Sequence, residues 1–83
     1  RKYRESAQAI TRALALGPDD VTANFWYALT LLQTGYRRQG IAALDRTLQL
    51  DPLLPNALFW RSREHIADGE FDQAARLLQR AAE

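Results

Sequence analysis

The chain has 83 residues, 47% hydrophobic and 25% charged, with eleven basic and ten acidic side chains leaving a net charge of +1. No cysteine is present, which excludes disulfides, thiolate metal sites and a cysteine nucleophile, and the single His65 removes two-histidine metal sites and most triad chemistry. The charge balance argues against a nucleic-acid binder, which needs a basic face, and no apolar run nears the roughly 20 residues of a membrane span.

The elements read as helices throughout. Residues 2–16 predict a helix with Tyr3, Ser6, Ala7, Ile10, Ala13 and Leu14 inward, and the cluster Arg1-Lys2-Tyr3-Arg4 reads as solubilising. Gly17-Pro18-Asp19-Asp20 then predicts a stop and a restart: Gly17 in the left-handed region, Pro18 to forbid continuation, an Asp as N-cap. The next helix, 20–34, carries Val21, Phe25, Trp26, Tyr27, Leu29, Leu31 and Leu32 around most of its circumference, so it is covered on more than one side. Gly35 breaks the chain before a helix at 37–50. Its polar set is Arg38, Gln39, Asp45, Arg46 and Gln49, and its inner set is Gly40, Ile41, Leu44 and Leu48. Asp51-Pro52 and Pro55-Asn56 punctuate again, with Pro55 suited to a first helical turn at the start of 55–68. Gly69 precedes the last helix, 71–82, whose inner set is Phe71, Ala74, Ala75, Leu78, Ala81 and Ala82. No strand-like alternation occurs.

Sliding the chain against itself by 34 residues gives 13 identities in 49 gapless pairs, more than chance supplies. Pro18 falls on Pro52, Phe25-Trp26 on Phe59-Trp60, Gly35 on Gly69 and Leu44 on Leu78. The sequence is therefore about two and a half copies of one two-helix unit. Residues 1–17 are the second helix of a partial repeat, 18–51 a full repeat, and 52–83 a nearly full one, all within a single domain. A start at Arg1 rather than Met predicts a piece of a longer protein. Arginine supplies ten of the eleven basic residues, a usage that suggests a GC-rich bacterial genome. The compartment stays open.

At fixed offsets the unit resembles the tetratricopeptide repeat. The matching positions are Ala23 and Ala57, then Ala28 and Ser62, then Gly35 and Gly69. They continue with Ser6, Gly40 and Ala74, then Ile10, Leu44 and Leu78, then Ala13, Thr47 and Ala81, and close with Pro18 and Pro52. The small residues allow helix axes to approach at the close end of the usual 8–10 Å. Departures are specific: the family's early aromatic is replaced by Asn24 and Leu58, with the tryptophans two residues later; Leu31 and His65 stand where an aromatic is common; Arg61 occupies a usually apolar site. Pentatricopeptide repeats are a rival, but their period is one residue longer and RNA binding wants a basic surface. The resemblance implies an all-α, right-handed α-solenoid of five helices in stacked antiparallel hairpins, and a non-catalytic scaffold that binds a protein or peptide in its concave groove, with no cofactor, metal, nucleic acid or membrane insertion.

By the same resemblance the groove is lined by Thr22, Phe25, Leu29, Leu32 and Gln33, then Asn56, Phe59, Arg63, Ile66 and Ala67, with Trp26 and Trp60 at its edge. The tryptophans read as inter-repeat packing as readily as partner anchors, whereas Phe25 and Phe59 lean towards the partner. Arg63 is the one charge in the groove; it either clamps an anionic group or pairs locally with Glu64 or Asp68. The family's clamp for chaperone carboxylates needs lysine and asparagines where this chain has Phe25, Leu29, Phe59 and Arg63, so that recognition is not expected. His65 reads as a packed interface residue. Asp68-Gly69-Glu70-Phe71-Asp72 lacks calcium-loop spacing and reads as a solvated turn with Asp72 capping the next helix. A strip over two helices about 21 Å long covers only a few hundred Å2, less than the roughly 1,000 Å2 of a stable interface, so binding is expected to be weak. Two further readings remain: a weak homodimer through exposed apolar ends, and a positioning arm of a larger enzyme.

Overall fold

The computed structural model describes residues 8, 10–15 and 17–83. The sequence expectations for Arg1 to Arg4, Ser6 and Ala7 lie outside the described residues. Helix α1 is described over residues 10–15, followed by α2 (Val21–Gln33), α3 (Arg37–Leu50), α4 (Pro55–Ala67) and α5 (Phe71–Ala82). The described residues contain no strand. Helices α2 and α3 form one antiparallel hairpin and α4 and α5 a second, and α3 packs on α4 to join them.

Local chemistry sets each boundary. Asp20 is the N-cap of α2, its Oδ1 accepting the Ala23 N–H at 2.9 Å. Gly35, at φ +92°, and Gly69, at φ +77°, end α2 and α4 in the left-handed region that a side chain resists. Beyond each glycine the chain folds back: Tyr36 N–H reaches Leu31 O at 2.9 Å and Glu70 N–H reaches His65 O at 2.8 Å, the six-to-one bond of a Schellman turn. Gly17 does not share this geometry. It keeps a negative φ and donates to Ala13 O at 2.8 Å, so here Pro18, not a left-handed glycine, stops the helix. Pro55 opens α4 as expected, since its missing N–H falls among groups with no helical partner. Asp72 does not cap α5. The N-cap is Glu70, without a side-chain bond, and Asp72 sits inside the first turn, where its charge favours the helix dipole.

The core lies where α2, α3 and α4 meet. Phe25, Ala28, Leu29, Ala43, Leu44 and Ala57 form one buried cluster, with Leu31, Leu32, Leu48, Leu54 and Trp60 packed against it. Within the first hairpin the axes come very close at Gly40. A Cβ there would stand 2.7 Å from Leu32 Cγ and Cδ2 and 3.1 Å from its backbone N. The small residue of the repeat thus answers to a contact distance.

The inner set expected for the last helix is only partly covered. Ala74 is 2% exposed, but Phe71 is 65% and Leu78 41% exposed, and Ala75 and Ala82 are exposed too. The reason is the stacking: Leu44, the equivalent of Leu78, sits in the three-helix core, whereas among the described residues no helix beyond α3 lies over α4 and α5. In α1, Ile10 and Leu14 are half-buried as expected but Ala13 is exposed.

Three arginines make four ion pairs between distant segments. Arg37, at the start of α3, donates through Nε to Glu64 at 2.6 Å and through Nη2 to Asp68 at 3.0 Å, both on the α4 side. Arg61 Nε reaches Asp45 of α3 at 2.8 Å, which explains a cation at a usually apolar position. Arg46 Nη2 meets Asp19 in the turn before α2. Arg37 therefore fastens one hairpin to the next.

Candidate functional site

Residues 22, 26, 29 and 33 share one face of α2, and 56, 60, 63 and 67 the matching face of α4. The structure divides these positions unevenly. Thr22, Trp26 and Gln33 are exposed, Trp26 at 53%, while Leu29 is buried beneath them. On α4, Asn56, Arg63 and Ala67 are exposed and Trp60 is half-buried. Phe25 and Phe59, the aromatic pair of the repeat, differ most: 7% against 49% exposed.

Phe25 and Leu29 are thus core residues, and the expectation that they offer a free groove surface is corrected. They lie in the cluster completed by Ala57 and Trp60 of α4. Their equivalents, Phe59 and Arg63, have no such helix against them among the described residues. The same logic separates the tryptophans. Trp60 packs on the cluster made by the preceding hairpin, whereas Trp26, one repeat earlier, is open to solvent. Within each pair the rings keep the same edge-to-face geometry: Phe25–Trp26 at 5.8 Å between centroids and Phe59–Trp60 at 6.2 Å.

Arg63 does not pair with Glu64 or Asp68, because Arg37 takes both carboxylates. Instead its guanidinium lies 4.8 Å from the Trp60 ring centroid, a cation–π contact. The Arg37 guanidinium is held above its ordinary range, first by the hydrogen bond to Glu64 and then by that to Asp68. His65 is mostly buried, with Nδ1 2.9 Å from Glu70 Oε1, a contact that ties the α4 end to the following turn.

Two residues gained roles that spacing alone did not reveal. Asn24, standing where the repeat favours an aromatic, is 6% exposed and donates Nδ2 to Pro18 O at 3.0 Å and Asp20 O at 2.8 Å. It stitches the entry turn onto α2. Ser62, 1% exposed, donates Oγ to Phe59 O at 2.6 Å, satisfying its hydroxyl within the helix. Every buried side-chain nitrogen and oxygen among the described residues has a partner. No group of three or more His, Asp or Glu side chains among them is placed to hold a metal ion, and no helix described is long and apolar enough to cross a membrane.

Stacked helical hairpins with an exposed polar and aromatic strip on their first helices define a helical-repeat protein. The family model of the tetratricopeptide repeat matches residues 1–35. A solved structure of MamA superimposes with a TM-score of 0.83 at 21% identity, covering 98% of this chain and 47% of that one. At that identity the likeness speaks for the fold, and the chain spans about half of MamA's length. No curated protein matches the sequence. The family match on residues 1–35, the 34-residue recurrence and the shared fold make the chain similar to the tetratricopeptide repeats.

Proposed function

We propose that this chain is a non-catalytic scaffold that holds a peptide or protein segment against the first helices of its hairpins, α2 and α4. The observation that carries this reading is the pair of aromatic side chains left in water on those helices, Trp26 at 53% and Phe59 at 49% exposure. Around them stand Thr22, Gln33, Asn56 and Arg63, all exposed and rich in hydrogen-bonding capacity. An apolar anchor ringed by polar groups is the composition of a binding hot spot. The family's general role in protein–protein interaction supports the same conclusion. Leu29 and Phe25 contribute from beneath by fixing the helices, and Trp60 borders the strip.

The test is cross-linking capture with photoreactive probes installed beside Trp26, comparing wild type with a Trp26→Ala, Phe59→Ala double variant. Both side chains are exposed, so circular dichroism should show unchanged helicity. The reading predicts specific cross-linked partners that vanish in the variant. Identical partner sets for both proteins would refute it.

A separate observation favours a second reading, weak self-association. Ile66 at 46%, Phe71 at 65% and Leu78 at 41% exposure leave apolar surface on α4 and α5 that a second copy would cover. Sedimentation velocity across a dilution series distinguishes a monomer from a concentration-dependent dimer.

A further inference from the structure

We draw no further inference here: the strongest candidate, the apolar patch that Phe59 and Leu78 leave open across α4 and α5, carries none because nothing in the structure shows what covers it.

Discussion

Replacing Gly40 by alanine sets two well-characterised effects against each other. Inside a helix, alanine is favoured over glycine by about 1 kcal/mol, because glycine gives up more backbone freedom on folding. Gly40 lies in α3, so propensity alone predicts a gain. The new methyl, however, would meet Leu32 Cγ and Cδ2 at 2.7 Å and Leu32 N at 3.1 Å. The leucine tip can rotate away, at the expense of its packing against the core cluster. The backbone nitrogen cannot, so α2 and α3 must separate by a few tenths of an ångström. Overpacking of this kind costs about 1–3 kcal/mol. The net expectation is a loss of about 1 kcal/mol, read as a fall in Tm of about 4–8 °C in a domain of this size. Thermal unfolding followed by circular dichroism at fixed protein concentration measures it. The matching position in the second hairpin is Ala74, 2% exposed, and there Ala74→Gly should also destabilise, through lost propensity and a lost methyl. A Leu32→Ala background supplies the control: with the clashing side chain shortened, Gly40→Ala should cost less, a coupling readable from a double-mutant cycle. A Gly40→Ala variant with unchanged or higher Tm would show that the close approach does not constrain the hairpin.

The two repeat phenylalanines should respond very differently to truncation. Phe25→Ala removes a buried ring and is expected to cost about 3–5 kcal/mol in urea unfolding, whereas Phe59→Ala, half in water, should cost well under half of that and act mainly on partner binding. Asp20→Ala deletes the α2 N-cap and should cost about 1 kcal/mol, with faster amide exchange confined to the first turn of α2. Asn24→Leu, although it copies Leu58, breaks the bonds to Pro18 O and Asp20 O and should lower stability by about 1–3 kcal/mol. Arg37→Ala should lower Tm slightly at low salt and not at 1 M salt, because the pairs it makes are exposed. The pH sign follows from the direction of the Arg37 shift. A base held above its unfolded pKa contributes its stability below that value and loses it only as pH rises through the folded one, so the difference between Arg37→Ala and wild type should stay level from about pH 6 to 9.

Helix positions were legible because punctuation is local. Pro18, Gly35, Pro55 and Gly69 act on their own backbones, and α2 to α5 begin and end within a residue or so of the expected bounds. Gly17 shows where local reading ends, since a following proline alone suffices to stop a helix and no left-handed residue is needed. Burial was less legible, because it depends on which neighbour lies over a residue. Phe25 and Phe59 are identical in type and register yet differ by a factor of seven in exposure, and Leu44 and Leu78 differ similarly. A periodic pattern predicts equal environments, but among the described helices α3 and α4 cover Phe25 and Leu44 while none covers Phe59 and Leu78 in the same way. The ion pairs of Arg37 and Arg61 join residues 16 to 31 positions apart, a separation at which charge spacing along one helix carries no information. Asn24 was visible as a departure from the repeat, but only the turn folded back over it shows why an amide serves there.

The packing also indicates how a ligand on this strip would be felt. Each hairpin packs more extensively within itself than against the other. What joins the hairpins is mixed in kind: a cluster in which Phe25, Leu29, Leu44 and Trp60 are interleaved with the small Ala28, Ala43 and Ala57, and surface pairs from Arg37 and Arg61. Alanine contacts give little area to oppose a small rotation, and exposed pairs exchange readily with water and salt. The angle between hairpins is consequently softer than the packing within each hairpin, although the core of Phe25, Leu29 and Leu44 with Ala57 and Trp60 crosses the joint. The exposed side chains proposed to meet a partner, Trp26 on one hairpin and Phe59 on the other, sit on opposite sides of that joint. A partner touching both would fix the angle at an entropic cost, and one touching only α4 and α5 would leave it free. Affinity on the full strip should therefore depend on the Arg37 and Arg61 pairs although neither residue touches the ligand, because a joint already set has less freedom to lose on binding.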